Sequence, residues 1–319
     1  MNVYWFQDSK TGHLKQVQAL LDQLKKETEL SLTTIKHSDQ ESFSEMFSRR
    51  DQFNGQTILI GAGHDVYSTI LQAKKYLQKF ISKNIYSIAV LRPSYKLNSF
   101  DLIVAPEHDF RNRRLPKNVI PFKGSLAVTS QIPVDDSKAI IAIGGPSKHY
   151  KFDQKILMKQ LNYILSVYPK HEFKIFNSRR TPDALNIKLK DNLSNYPNVK
   201  FIHLNSPESD TFQDSLNRSS LKFVTPDSSN LVFEALSVKG QTYLIQIESP
   251  TYRRIFGSKK IRESMNELVN TKRVGVVSIL NKKGGVDISK IESPALHFEP
   301  LAEVEKVSFS IMKFINHQI

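Results

Sequence analysis

The sequence predicts an α/β protein built as two successive domains, each a parallel sheet covered by helices, with a deep cleft between them. Three observations lead there. Short apolar runs of strand character alternate with apolar residues at helical spacing along the whole chain. The alternation stops once, at residues 131–138 (QIPVDDSK), and then restarts, which marks a linker. The chain has 319 residues, too many for one ordinary hydrophobic core.

The elements follow in order. Residues 2–6 (NVYWF) read as a strand, and Leu14, Val17, Leu20, Leu21 and Leu24 then recur as one face of a helix. Strands are expected at 30–35, 57–60, 87–91 and 102–105, with a helix marked by Val66, Ile70, Leu71, Ala73 and Leu77. After the linker come strands at 139–143, 173–176, 199–204, 221–224, 241–247 and 274–280. Helices are expected at 153–167, 181–193, 208–217 and 258–269, and a last one at 301–317. The domain boundaries are therefore placed at 1–134 and 135–300.

Composition narrows the function classes. Hydrophobic residues make up 39% and charged residues 24%, the balance of a soluble globular protein. No apolar run is long enough to span a bilayer. Met1 leads directly into a strand with no signal segment, so secretion is not expected. There are no cysteines, which excludes disulfides, thiolate zinc sites and cysteine nucleophiles. The net charge of +14 favours an anionic partner, yet the basic residues are spread over both halves as on a solvated surface. No zinc-finger, RNP or basic-zipper pattern is present, so nucleic acid is not the expected partner.

Five strand-to-helix loops carry polar groups where open parallel sheets bind ligands. The first, DSKTGH, holds Asp8, Lys10, Gly12 and His13. Gly12 permits close backbone approach, and His13 and Asp8 are suited to acid–base work or ligand binding. The second, APEHD, puts Glu107, His108 and Asp109 directly after a buried strand, where ionisable groups need partners or a task. Asp109 or His108 is a candidate base. Arg111, Arg113, Arg114 and Lys117 follow, with Leu115, Val119, Ile120 and Phe122 among them. This run is either a solvated loop or a contact for anionic lipid. The third loop, GGPSKHY, offers Gly144, Gly145, Ser147 and Lys148 to a phosphate. The fourth, SRRTP, offers Ser178, Arg179, Arg180 and Thr181, with Thr181 as a helix cap and the arginines as phosphate grips. Neither a P-loop nor a complete Gly-x-Gly-x-x-Gly fingerprint is matched.

The fifth loop is TPDSSNLVFEALSVKG, residues 225–240. Ser228 and Ser229, after Asp227, begin a helix whose free N–H groups suit an anionic oxygen. Glu234 lies about two turns in, opposite Val232, Phe233 and Leu236. A carboxylate placed there is suited to accept hydrogen bonds from ribose hydroxyls.

Taken in order, these five motifs resemble the mitochondrial fission "elongated mitochondria" family, including its bacterial members, over nearly the whole chain. Many bacterial members carry an epimerase label. A short-chain epimerase needs Tyr-x-x-x-Lys and an N-terminal nucleotide fingerprint, and neither is in place here. The family is in turn similar to GT-B glycosyltransferases. That resemblance implies an α/β fold of two Rossmann-like domains with a cleft between them. It also implies a nucleotide-sugar donor on the C-terminal domain, an acceptor beside the Gly12-His13 loop, and a last helix, 301–319, that packs back on the first domain. Two departures stand out: the absence of an N-terminal targeting extension, and Ser9-Lys10-Thr11 where Gly-Lys-Pro is common.

The expected activity is metal-independent, inverting glycosyl transfer from a nucleotide-diphosphate sugar, with no cofactor besides that donor substrate. No Asp-x-Asp follows a strand to hold a metal. The expected acceptor is a lipid-linked molecule or a glycan. The expected location is the cytoplasm, with peripheral contact at the inner face of an anionic membrane. The rival reading is a non-catalytic protein of the same fold that recruits a partner to a membrane surface.

Overall fold

The computed structural model describes residues 1–38, 43–47, 55–80, 84–110, 114–147, 150, 152–247, 259–281, 287–295 and 299–317. The chain divides into two compact units. One comprises Met1–Val128 with Ala302–Ile319, and the other Thr129–Leu301.

The first unit contains six parallel strands: β1 (Asn2–Gln7), β2 (Ser31–Lys36), β3 (Thr57–Ala62), β4 (Ile85–Val90), β5 (Leu102–Pro106) and β6 (Val119–Phe122). Their spatial order is β2-β1-β3-β4-β5-β6. The chain builds β2 on one side of β1 and β3 on the other, so the switch point lies between β1 and β3. Alternate residues of each strand enter opposite cores. Val3 and Trp5 lie in one and Tyr4 and Phe6 in the other; Ile58 and Ile60 likewise oppose Leu59. Burial on both faces is why the inner strands β1, β3, β4 and β5 read as largely apolar runs. Helix α1 (Thr11–Glu27) covers one face through Val17, Leu20, Leu21 and Leu24; α3 (His64–Leu77) covers the other through Val66, Ile70, Ala73 and Leu77. A short α2 (Phe43–Met46) precedes β3.

The second unit contains β7 (Asp135–Ala142), β8 (Glu172–Phe176), β9 (Val199–Ile202), β10 (Ser219–Val224), β11 (Gln241–Ile245), β12 (Gly275–Asn281) and β13 (Asp287–Glu292), in the order β13-β12-β11-β10-β7-β8-β9. All pair in parallel except β12 with β13. The switch point lies between β7 and β10. Helices α4 (Gln154–Val167) and α5 (Asp183–Leu193) share one core, while α6 (Phe212–Arg218), α7 (Ser229–Leu236) and α8 (Lys259–Asn270) contribute to the other. Asp153 caps α4 by accepting from Lys155 N (2.9 Å) and Ile156 N (3.1 Å). The last helix, α9 (Glu303–Asn316), belongs to the first unit. Val304, Val307, Ile311 and Ile315 enter its core, and Glu303 accepts the backbone N–H of Lys123 at 2.8 Å.

Two local expectations are corrected, and one strand was not expected. Residues 135–138, expected in a linker, form the first half of β7. Val119 and Phe122, read beside the basic run, are buried in the edge strand β6 and face no membrane. Only Leu115, Arg114 and Lys117 of that run are exposed; Arg111 and Arg113 lie outside the described residues. Strand β13 escaped notice because DISKIE is half charged, as edge strands often are. Among the described residues no helix is long and apolar enough to cross a membrane.

Lys222 stands out inside the second unit. It sits in the central strand β10 with no exposure, and its amine donates to the carbonyl of Lys239. Burial lowers its pKa to about 7. The unfolded chain keeps this lysine protonated to about pH 10.4. Between those limits the unfolded state binds more protons, so stability rises with pH by up to about 1.4 kcal/mol per unit. Urea titrations from pH 7 to 9.5 should show this rise, and Lys222→Met should flatten it. An equal slope in both proteins would mean that the amine is not buried uncharged.

Candidate functional site

The carboxyl edge of the first unit gathers its polar groups at the switch point. Asp8 follows β1 and its side chain is fully buried. One carboxylate oxygen accepts the backbone N–H of Lys10 (3.0 Å); the other lies 2.6 Å from His13 Nδ1. His13, in the first turn of α1, stays partly exposed. The carboxylate thus fixes the ring's tautomer and leaves Nε2 for other work. Gly63, between β3 and α3, makes this possible. It sits at φ +106°, and a Cβ there would lie 2.3 Å from Asp8 Oδ2 and 2.8 Å from His13 Nδ1. Gly12 contributes its carbonyl, which accepts from Gln16 Nε2 at 3.2 Å. Gln16 in turn accepts from Leu126 N.

His108 and Asp109 form a 3-10 turn with Glu107 at the end of β5, and both are half-buried. Asp109 and Asp8 both bear on the ring of Tyr67. Burial raises the pKa of that phenol strongly and the two carboxylates add to the rise. The phenol donates to the carbonyls at the end of β4, Val90 (2.6 Å) and Leu91 (3.0 Å).

In the second unit the groups again meet at the switch point. Asp227, after β10, has a fully buried side chain. Its Oδ2 accepts from Gly145 N (3.1 Å) and from Arg180 Nη2 (2.6 Å). Burial pushes its pKa up, opposed by bonds from Thr225 and Gly145 and by the Arg180 charge. Gly144 N donates to Thr225 Oγ1 (2.8 Å). Thr181 Oγ1 donates to the Gly144 carbonyl (2.6 Å) and accepts from Ser178 N (2.9 Å). Here too the glycines are required by contact. A Cβ on Gly144 would meet Asp227 Oδ2 at 2.1 Å, and one on Gly145 would meet the Arg180 carbonyl at 1.9 Å.

These bonds revise several expectations. The N–H groups of Gly144 and Gly145, expected to face a phosphate, are satisfied by Thr225 and Asp227. Arg180 is held by Asp227. Thr181 is not a helix cap: α5 starts at Asp183 with Pro182 before it, and Thr181 instead stitches two loops together. Ser147 accepts the N–H of Tyr150 (3.2 Å) within its own loop. Lys148 lies outside the described residues. Arg179 is exposed. Ser228 is the N-cap of α7 without a side-chain cap bond, and Ser229 is its first residue. Glu234 is half-buried in its second turn, while Val232, Phe233 and Leu236 are buried.

A cavity of about 600 Å³ adjoins this edge, lined by Tyr150, Pro226, Leu244, Gln246, Arg262 and Met265 among others. Tyr150 links it to the cluster. Burial raises its phenol to about 12, and the Asp227 charge adds to that while Arg262 opposes it. Gly63, Tyr67 and Tyr150 were not singled out in the sequence, because only their neighbours across the sheet reveal their place.

Two parallel α/β units with polar clusters at their switch points define a GT-B-type fold. UDP-GlcNAc 2-epimerase from Neisseria meningitidis, solved with UDP-GlcNAc bound, shares that fold. It is 13% identical, with a TM-score of 0.55 over 99% of this chain and 100% of its own. An ADP-heptose lipopolysaccharide heptosyltransferase II from E. coli aligns over 100% and 99% at 11% identity, with a TM-score of 0.41. An uncharacterised protein of Rickettsia prowazekii (strain Madrid E) is 24% identical over 75% of both chains. The family model described as Mitochondrial fission ELM1 matches residues 11–314. The chain belongs to that family. The short-chain argument against an epimerase does not touch epimerases of this second fold.

Gly63→Ala and Gly145→Ala should each destabilise their own unit by about 1–3 kcal/mol, because backbone or a buried carboxylate must give way. Urea unfolding measures this. Unchanged midpoints would mean that these contacts are looser than described.

Proposed function

We propose that this protein is a metal-independent, inverting glycosyltransferase that uses a nucleotide-diphosphate sugar. The observation that carries the reading is His13, held at 2.6 Å by the buried Asp8 at a switch point. A recruiting scaffold gains nothing from a buried carboxylate aimed at a partly exposed imidazole, whereas a general base needs that support. His13 Nε2 takes the proton of an acceptor hydroxyl. The hydroxyl oxygen forms the new bond at the anomeric carbon, the bond to the diphosphate breaks, and the nucleoside diphosphate leaves. Asp8 stabilises the imidazolium that results.

The donor is assigned to the second unit. The uncapped start of α7 at Ser228 and Ser229 directs N–H groups at the leaving diphosphate, and Arg179 supplies positive charge. Arg180 joins them when a phosphate displaces Asp227. Glu234 accepts from the ribose hydroxyls. The neighbouring fold of the Neisseria epimerase, which carries UDP-GlcNAc, supports a nucleotide sugar as ligand without naming the base or the sugar.

Thermal unfolding against a panel of UDP-, GDP-, ADP-, dTDP- and CMP-sugars tests the reading. One nucleotide at about a hundred times its dissociation constant should add about 2.7 kcal/mol. Glu234→Ala and Arg179→Ala should remove that gain. With the donor identified, His13→Gln should lower kcat about a hundredfold and leave KM little changed. A flat panel at millimolar ligand would replace the transferase with the partner-recruiting protein of the same fold.

A further inference from the structure

At the same carboxyl edge as the His13 pair, the first unit carries a guanidinium whose buried Nε has no hydrogen-bond partner among the described residues. Strand β4 ends at Val90, and Leu91 then turns sharply at φ +69°, a conformation uncommon for a side chain of its size. Tyr67 pins this turn through both carbonyls. The turn presents Arg92, whose guanidinium lies 5.4 Å above the ring of Phe110, the residue after Asp109 at the end of β5. Its Nε is buried and has no hydrogen-bond partner. Among the described residues no carboxylate pairs with it. Asp8 is engaged by His13 and Lys10 N, and Asp109 has partners of its own. A guanidinium donor kept from water without an acceptor works against folding, so such a group calls for an explanation.

The surroundings supply one. Arg92 stands at the carboxyl edge after β4, and the adjacent β3 ends in the Gly63 that seats Asp8 and His13. Gly63 is also the N-cap of α3 and offers no side-chain cap, so the positive end of a fourteen-residue helix lies on the same edge. His64, the first residue of that helix, reaches Ser94 Oγ of the Arg92 loop at 3.4 Å. The Phe110 ring lies within cation–π distance of the guanidinium, whose planar fork suits two-point recognition of an oxyanion.

We propose that Arg92 forms an oxyanion subsite on the first unit, which holds the phosphate or carboxylate group of the molecule whose hydroxyl His13 deprotonates. This deepens the transferase reading: the acceptor is anionic rather than a neutral glycan.

The test is phenylglyoxal modification of the whole protein, with Arg92 followed by peptide mass spectrometry. Millimolar inorganic phosphate, acetate or no addition forms the three arms. Several-fold slower modification of Arg92 with phosphate but not acetate would support a phosphate-bearing acceptor. Equal protection by acetate would support a carboxylate. No protection by either would overturn the subsite. Phosphate-induced thermal stabilisation should also persist in Arg179→Ala and fall in Arg92→Lys, which keeps the charge but not the fork; full stabilisation in Arg92→Lys would likewise count against the subsite. Nucleotide binding is read separately from both. A flat nucleotide panel with Arg92 still protected would remove the transferase and keep the anion site, and the opposite pattern would do the reverse.

Discussion

A carboxylate taken out of water must be met by donors, and in both units one such carboxylate organises the site. The side chains of Asp8 and Asp227 are fully buried, each residue lies just past a strand at a switch point, and each carboxylate holds one cationic or potentially cationic partner at 2.6 Å. Each is also packed against a glycine, Gly63 or Gly144, whose Cβ would clash with it. The loops around them are therefore set by electrostatics and close packing together. Remove either carboxylate and a ring or guanidinium loses its aim, while backbone N–H groups lose their acceptor.

This arrangement follows from the sheets. Parallel strands buried on both faces leave no room for polar side chains along their length, so such groups collect where the strands end. The reversal of strand order then opens a gap between two neighbouring loops. Lys222 is a charged residue within the sheet, and burial there lowers its pKa. At the edges, by contrast, donors and acceptors find one another within a few residues of the strand ends.

The two units use the same device differently. In the first, the buried carboxylate props a partly exposed imidazole. In the second, it holds Arg180 and the Gly145 N–H, groups with an affinity for phosphate. An anion entering the second site competes with Asp227 for them. Asp227 Oδ1, buried and without a partner, would gain from such an exchange by protonation or by a move towards water.

The alternating apolar runs and helical spacings determined the fold class, most strands and the order of the loops, because burial on both sheet faces writes itself into local sequence. They also marked Asp8, His13, Asp227 and Glu234 as residues worth attention. Strands β6 and β13 were lost because short or charged edge strands carry little such signal. What only the tertiary structure decided was who meets whom. That Gly63 seats His13, that Gly144 and Gly145 give their N–H groups to Thr225 and Asp227, and that the buried Nε of Arg92 has no partner among the described residues are matters of segments far apart in the chain. Local sequence sets periodicity and turns. The pairing of loops at a sheet edge is set by strand order, and strand order is a property of the folded chain.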